Sequence, residues 1–232
     1  KGMDLSTGVD VVGTYVALVY LTPFIGGLIA DRYWGYIKSI YFGGSLMALG
    51  YFLLAIPGSN TLLYAALLCV IVGNGFFKPN ISVLLGNLYN KDELRSKKDV
   101  AYNIFYMGVN IGAFVCNFVA AYLRVNYSWG YAFAAAGVGM VLGLIIFSSG
   151  LKHEKEANII KPANKDDMPV SKIALYVFLP AAIAGAIGWF IPGNIIGSDS
   201  NDAFVFASIP IIIFYFGLWY RAKGFDKKRL GT

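Results

Sequence analysis

One long apolar stretch constrains this chain more than any other feature. Residues 61–89 read TLLYAALLCVIVGNGFFKPNISVLLGNLY and hold a single charge, Lys78. At ~1.5 Å of rise per residue, a helix of this length crosses a hydrocarbon core of ~30 Å. The whole chain is 57% hydrophobic and only 14% charged, against about 25% charged residues in a typical soluble domain. The sequence therefore predicts an all-α membrane protein that crosses the bilayer several times.

Seven apolar stretches predict membrane-spanning helices. Aromatic residues such as Trp34, Trp129 and Trp219 stand near several of their ends, as is typical of the membrane interface. The predicted bounds are Val11–Ala30, Ile37–Ile56, Leu62–Leu88, Ala101–Leu123, Trp129–Ser149, Ile173–Ile191 and Ala203–Tyr220.

The loop cations give these helices a direction. Of the nineteen lysines and arginines, all but Lys1, Arg124 and Lys78 fall in one alternating set of loops. The positive-inside rule then places residues 151–172 and 221–232 in the cytoplasm and Lys1 outside. A first helix that enters from outside without a signal peptide is unusual, so we expect a further helix before Lys1. These loops also account for the net charge of +6, and we expect no nucleic-acid partner.

The polar stretches divide the chain into four predicted parts. Residues 1–150 are expected to form a bundle that lacks its first helix, and residues 151–170, LKHEKEANIIKPANKDDMPV, a cytoplasmic linker. Residues 171–222 are expected to form a pair of transmembrane helices joined by a turn rich in Gly, Asn, Ser and Asp. Pro180 and Pro210 lie inside the two helices of this pair. Residues 223–232 begin a further cytoplasmic loop.

Lys78 is the strongest candidate for a functional side chain. An ammonium group inside a membrane span costs on the order of 3 kcal/mol. The next cation along the chain is Lys91, which is ~20 Å of helix away, and a lysine stem of roughly 6 Å does not reach that far. Lys78 is therefore expected to face a polar cavity or a partner.

Two more polar side chains are predicted at a similar depth in the membrane. Tyr20 lies ~16 Å of helix from Asp31, and Asn110 lies ~18 Å from Lys98. Transporters place their substrate sites near this depth. Each residue also has a simpler interpretation, since Tyr20 could be a core aromatic residue and Asn110 could hydrogen-bond to another helix. Together with Lys78 they favour a polar cavity in the bundle.

The pattern Gly27-x-x-x-Asp31-Arg32 stands at the end of the first predicted span. A glycine at position 27 would let another helix approach closely, and the Asp31 carboxylate could then bridge to a neighbouring helix. An ordinary pair of loop charges at Asp31 and Arg32 explains the same residues.

The sequence does not indicate catalysis. It contains no catalytic pair of side chains, no cluster of metal ligands and no phosphate-binding loop. We therefore expect no enzymatic activity, no cofactor and no metal. Cys69 and Cys116 both fall inside apolar spans and are expected to be small core residues.

Three motifs resemble those of a known family. GGLIADRYWG, at residues 26–35, resembles the signature of the major facilitator superfamily between its second and third helices. GNGFFKPNISVLLGNLY, at residues 73–89, resembles the fourth-helix signature of the proton-coupled oligopeptide transporters. FYMGVNIGAF, at residues 105–114, resembles their fifth-helix motif, F-Y-x-x-I-N-x-G, with Val109 in place of isoleucine. The three occur in order and at compatible separations, which makes the resemblance specific.

The resemblance implies a role for each candidate residue. Lys78 corresponds to a lysine linked to proton coupling and to the carboxylate of the peptide. Tyr20 corresponds to a tyrosine that lines the peptide site, and Asn110 to an asparagine that hydrogen-bonds the peptide backbone.

The resemblance also implies the activity of the whole transporter. That activity is symport of di- and tripeptides with protons, by alternating access, across the cytoplasmic (inner) membrane. Gly27, Asp31 and Arg32 then belong to a conformational gate. This chain would contain the second to sixth helices and an inserted helix pair. Its partners would be the lipid bilayer and the rest of the same transporter, namely a first helix with a Glu-x-x-Glu-Arg motif and a C-terminal bundle.

Two other functions stay open at the level of sequence. A major-facilitator transporter of another small solute, such as nitrate, a sugar or a drug, would share the Gly27-x-x-x-Asp31-Arg32 pattern but not the fourth- and fifth-helix motifs. A non-transporting membrane scaffold or receptor would leave the charge of Lys78 at mid-depth unexplained.

Overall fold

The computed structural model describes residues 4–58, 60–90, 93–154, 157–158, 160, 168–193, 195 and 199–221. Within these ranges, seven helices are long and apolar enough to cross a membrane. The predicted all-α membrane fold and its number of spans are confirmed. Among the stretches predicted to be cytoplasmic, residues 155–156, 159, 161–167 and 222–232 lie outside the described residues, as does Lys1.

The described residues form a series of helices along the chain. The elements are α1 (Leu5–Ile29), a π-helical turn (Ala30–Trp34), α2 (Tyr36–Ala55), α3 (Asn60–Leu88), a 3₁₀ turn (Arg95–Lys97), α4 (Lys98–Asn126), α5 (Trp129–Glu154), α6 (Val170–Ile173), a second π-helical turn (Ala174–Phe178), α7 (Leu179–Phe190) and α8 (Asp199–Arg221).

Several observed helices extend past the predicted spans. The first span was predicted as Val11–Ala30, whereas helical structure runs from Leu5 to Trp34. The fourth was predicted as Ala101–Leu123, whereas α4 runs from Lys98 to Asn126. Hydropathy marks only the part of a helix that matches the hydrocarbon core. The backbone hydrogen bonds of a helix continue into the interface, where polar side chains carry no penalty.

Two compact units make up the chain. One contains residues 18–163, and the other combines residues 1–17 with residues 164–232. Helix α1 therefore contributes to both. The predicted boundaries between bundle, linker and helix pair stay a prediction.

Helix α2 is the most buried helix of the unit formed by residues 18–163, and glycines set its distance from α3. A Cβ atom at Gly43 would lie 2.6 Å from the carbonyl oxygen of Gly73, and one at Gly50 would lie 2.8 Å from that of Ala66. Only residues without a side chain permit such close backbone contact. The helices are therefore held together by van der Waals packing, which replaces the hydrophobic effect inside a membrane.

The other unit is built around the helical hairpin of α7 and α8. A Cβ atom at Gly188 would lie 2.8 Å from the carbonyl carbon of Asp202, so the two helices meet closely near their turn. The Asp202 side chain is fully buried and accepts a hydrogen bond of 2.7 Å from the backbone N–H of Ile195 in that turn. From α1, Asp10 accepts a hydrogen bond of 3.4 Å from the Ser200 hydroxyl. Polar contacts thus fix this end of the hairpin.

Candidate functional site

Lys78 and Tyr20 come together in the unit formed by residues 18–163. The Nζ atom of Lys78 on α3 lies 5.4 Å from the centroid of the Tyr20 ring on α1. Both side chains are exposed in this chain, Tyr20 by 67%. An ammonium at this distance from an aromatic face is attracted by the ring quadrupole, by ~0.5–1 kcal/mol at an exposed site. The pair presents a cation and a phenol side by side on a membrane-spanning surface.

Small residues bring α1 and α3 close enough for this contact. A Cβ atom at Gly26 would lie 2.6 Å from the carbonyl carbon of Gly75, and one at Gly75 would lie 2.6 Å from the Cβ of Thr22. Side chains longer than hydrogen are therefore excluded at both glycines. The tightest approach is at Gly26 and not at Gly27, where the sequence pattern places it. At Gly27 an added Cβ would meet the Cβ of Pro79 at 3.9 Å, an ordinary van der Waals distance.

Hydrogen bonds join the same two helices on either side of Lys78. The Asn74 amide donates to the carbonyl of Val19 at 3.1 Å. The Asn80 amide donates to the carbonyl of Gly26 at 3.3 Å, and the Thr22 hydroxyl to that of Ile71 at 3.1 Å.

In lipid such bonds contribute about 0.6–2 kcal/mol each. Together they fix the height and rotation of α3 relative to α1. Thr22, Asn74 and Asn80 were not singled out from the sequence. The sequence signal that could have identified them is a polar side chain inside an apolar span. A polar side chain at that depth needs a hydrogen-bonding partner.

Asn110 lies on α4, a helix without buried residues. Its side chain is exposed, as are those of Asn103 and Asn117, seven residues before and after it. Helix α4 is tied to α3 where the Tyr102 hydroxyl donates a hydrogen bond of 2.9 Å to the carbonyl of Ser82. Among the described residues, no hydrogen bond joins Asn110 to Tyr20 or Lys78.

Asp31 and Arg32 lie in the π-helical turn between α1 and α2. The fully buried Tyr36 donates its hydroxyl to Oδ1 of Asp31 at 2.8 Å. The carboxylate therefore reaches the first residue of the neighbouring helix, while Arg32 is half-buried beside it. Gly35 ends the turn with φ of +76°, a conformation that other residues rarely adopt.

The segment that follows α5 packs against this turn. Oδ1 of Asn158 accepts a hydrogen bond of 3.0 Å from the backbone N–H of Ile37, which is an otherwise free donor in the first turn of α2. Next to it, the buried Ala157 accepts a hydrogen bond of 3.3 Å from the Asn87 amide on α3. The α1–α2 turn, the end of α3 and residues 157–158 thus form one connected structure.

Three aromatic rings, one each from the π-helical turn, α2 and α3, pack against one another. Trp34 stacks on Phe76 with centroids 5.3 Å apart and meets Phe42 edge-on at the same distance. Phe42 and Phe76 complete the cluster at 5.0 Å. Trp34, predicted from its position as an interfacial residue, therefore also packs against α2 and α3.

A family model described as the POT family matches residues 37–180. The chain is 32% identical to the uncharacterized transporter YclF of Bacillus subtilis (strain 168), over 97% of its own length and 45% of that protein. It is also 32% identical to a di-/tripeptide transporter of Lactococcus lactis subsp. lactis (strain IL1403), over 96% of its length and 45% of that protein. The chain thus spans about half the length of the curated relatives it matches.

The fold of this chain also matches solved structures of peptide transporters. A crystal structure of the peptide transporter POT in complex with sulfate superposes with a TM-score of 0.72 and 29% identity, over 99% of this chain and 47% of that one. The arrangement of helices described above is therefore that of part of a major-facilitator bundle with an inserted helical hairpin, as the sequence predicts. The residues matched to the family model include Lys78 and Asn110 but not Tyr20, Gly27, Asp31 or Arg32.

Proposed function

Because this chain belongs to the POT family, we propose that it forms part of a proton-coupled symporter of di- and tripeptides. The observation that carries the proposal is the ammonium of Lys78, which is exposed on a membrane-spanning helix and lies over the Tyr20 ring. The similarity to a di-/tripeptide transporter and to a peptide transporter of known structure supports the choice of substrate.

The chemistry of a short peptide fits the side chains of this surface. Every di- or tripeptide has one carboxylate, one ammonium and at least one amide, whatever its side chains are. The Lys78 ammonium attracts the carboxylate as a point charge in surroundings of lowered dielectric. The phenol of Tyr20 and the amide of Asn110 hydrogen-bond the peptide backbone without reading its side chains. Such a site selects for length and tolerates different sequences.

Lys78 also couples the substrate to protons. A carboxylate that pairs with an ammonium keeps a low pKa, and its pKa rises when the ammonium is taken by another anion. When the peptide carboxylate binds Lys78, the acid that was paired with Lys78 loses its counter-ion and binds a proton. We assign that acid to a part of the transporter outside this chain. Peptide and proton are then carried together.

Gly27, Asp31 and Arg32 form the conformational gate. Asp31 is bonded to Tyr36 at the start of α2, far along α1 from Tyr20. A charge in this position changes the balance between inward- and outward-open states without touching the substrate.

The orientation follows from the loop charges. Residues 151–172 and 221–232 lie in the cytoplasm, and the gate faces the same side of the cytoplasmic membrane. The chain supplies the second to sixth helices and the inserted pair. The first helix and the C-terminal bundle of the same transporter complete the cavity around Tyr20, Lys78 and Asn110.

The proposal is tested by uptake into liposomes that contain the purified full-length transporter. Under an inward proton gradient, we expect a labelled dipeptide to accumulate above its external concentration, and a protonophore to abolish the accumulation. Unlabelled tripeptides should compete, whereas tetrapeptides, nitrate and glucose should not. Competition by nitrate or glucose but not by peptides would show that the chain belongs to a transporter of another solute.

A further inference from the structure

A groove runs between the two helices of the hairpin, at the end away from their turn. Its volume is about 660 Å³. The lining residues are mostly apolar, and two of them, Lys172 and Arg221, carry a positive charge. None of the proposed peptide-binding or gate residues takes part in it.

Two prolines mark the inner end of the groove. Pro180 and Pro210 both line it. Proline lacks an N–H and its ring displaces the carbonyl one turn before it, so a helix opens at that point. The π-helical turn Ala174–Phe178 ends two residues before Pro180, which is where such an opening is expected. The π-helical turn is the local opening expected one turn before Pro180, and both prolines form part of the groove wall.

The depth of the groove matches one leaflet of a bilayer. Lys172 is eight residues before Pro180, and Arg221 is eleven residues after Pro210. These separations correspond to ~12 and ~16 Å of helix, close to half of a hydrocarbon core of ~30 Å. Tyr176, Ile213 and Leu218 line the part in between. The groove therefore has an apolar body of leaflet depth and a cationic outer end.

The two cations are available at that outer end. Lys172 lies in α6, near the start of the span Val170–Phe190 that contains α7, and Arg221 is the last residue of α8; both side chains are exposed. Among the residues that the structure describes, neither forms an ion pair with a carboxylate. Basic pockets between transmembrane helices at the membrane surface bind the head groups of acidic lipids.

We propose that this groove binds an anionic phospholipid, with the phosphate between Lys172 and Arg221 and one acyl chain along the apolar body. A soluble anion would satisfy the charges but leave the apolar body empty. A neutral lipid would fill the body but leave the charges unpaired. The proposal depends on the hairpin crossing the membrane and not on which solute is transported, so its failure would leave the proposed function untouched.

The test uses native mass spectrometry of the full-length protein in detergent, mixed with equal amounts of phosphatidylglycerol and phosphatidylcholine. The wild type should retain phosphatidylglycerol in preference. Each cation near an anionic lipid surface contributes on the order of fivefold in affinity. The double variant Lys172→Gln/Arg221→Gln should therefore reduce the preference at least tenfold. The matched control Lys38→Gln/Lys97→Gln removes two exposed cations outside the groove and should leave the preference unchanged.

A second variant tests the apolar body without changing the charge. A Cβ atom at Gly217 would meet no atom within 4 Å, and Gly217 lines the groove. Gly217→Leu should therefore fold normally, occupy the space of the acyl chain and reduce phosphatidylglycerol retention severalfold. Inorganic phosphate added in excess should not displace the lipid.

Any of the following results would overturn the proposal. The first is equal retention of the two lipids by the wild type. The second is an equal loss in the Lys172→Gln/Arg221→Gln variant and its control, which would indicate a general surface charge effect. The third is unchanged retention of phosphatidylglycerol in Gly217→Leu. The fourth is displacement of phosphatidylglycerol by inorganic phosphate. Either of these last two would indicate a simple anion site.

Discussion

Helices α3 and α4 have the same length, 29 residues each, and both cross the membrane, yet they have opposite surroundings. Helix α3 buries nine residues, among them Gly75, Phe76 and Asn80. Helix α4 buries none. Length and hydropathy thus identify both as membrane spans, but they do not distinguish a helix packed among its neighbours from one with an open face.

The asparagines of the two helices show what this difference means. On α3, the amides of Asn74, Asn80 and Asn87 donate to backbone carbonyls of other elements. On α4, the side chains of Asn103, Asn110 and Asn117 are exposed. The same residue type therefore joins elements of the bundle on α3, whereas on α4 these three side chains are exposed. We infer that substitutions on α3 affect mainly stability, and those on α4 mainly substrate binding, with Lys78 as the exception.

Substitution of Lys78 should have the largest effect on transport, because Lys78 lies on the packed helix α3 but its side chain is exposed. We expect Lys78→Ala to abolish peptide accumulation driven by a proton gradient while the protein still inserts. Removing the ammonium lowers the cost of insertion by on the order of 3 kcal/mol, so poor insertion does not explain the loss. Uptake into liposomes is the measurement.

Two further variants at this position sharpen the result. Lys78→Gln keeps a hydrogen-bond donor and loses the charge, and it should fail as well. Lys78→Arg keeps the charge in a planar group that does not deprotonate, and it should be partly active at best. Full accumulation by Lys78→Ala would make Lys78 a structural residue.

Adjacent glycines provide the next test, which concerns stability. Gly26→Ala places a Cβ 2.6 Å from the carbonyl carbon of Gly75, whereas Gly27→Ala places one 3.9 Å from the Cβ of Pro79. We expect Gly26→Ala to destabilise the folded protein by ~1–3 kcal/mol through overpacking. Gly27→Ala should unfold like the wild type. The measurement is thermal unfolding in detergent, and equal midpoints for the two variants would contradict the close contact of α1 and α3.

The comparison of α3 with α4 is tested directly by one substitution on each. Asn110→Ala should weaken peptide binding by the value of one hydrogen bond, ~1 kcal/mol or about fivefold, with unchanged unfolding. Asn74→Ala loses the bond to Val19 and should instead lower stability by ~1 kcal/mol, with affinity nearly unchanged. Binding is measured by titration calorimetry on the full-length protein. The reverse pattern would contradict the division of roles between the two helices.

The proposed gate should show the smallest effect on peptide binding. Asp31→Asn keeps the shape of the side chain and its bond to Tyr36 while removing the charge. We expect the transport rate to fall a few-fold with peptide affinity nearly intact, because a gate charge would bias conformations without contacting the substrate. Comparing initial uptake rates with equilibrium binding separates the two quantities. A large loss of affinity with normal turnover would place Asp31 in the substrate site.

The sequence was sufficient to predict the helical membrane fold, but it identified only some of the residues around the candidate site. Runs of apolar residues fix the number of spans, since each must cover the hydrocarbon core. The charge of Lys78 marks it as unusual without any neighbour being known. The partners of Thr22, Asn74 and Asn80 could not be predicted, because they depend on the rotation of α1 about its axis. The close contact at Gly26 could not be predicted either. Which of Gly26 and Gly27 faces α3 depends on the same rotation of α1.

The packing of residues 157–158 against the α1–α2 turn also could not be predicted from the sequence. Their hydrogen bonds join positions more than sixty residues apart in sequence, such as Asn87 to Ala157 and Ile37 to Asn158. Local patterns carry no information about such pairs. Composition identifies residues 151–170 as a polar connection, and nothing in it indicates that two of them pack against the α1–α2 turn.

The contact between Gly26 and Gly75 has a consequence for movement. Backbones in contact at this point, with the hydrogen bonds of Thr22, Asn74 and Asn80 beside the contact, do not slide or rotate against each other without separating. Any rearrangement that opens a path to one side of the membrane would therefore move α3 together with residues 18–29 of α1. The spacing between Tyr20 and Lys78 then stays constant, so the proposed peptide site would keep this pair unchanged in every state.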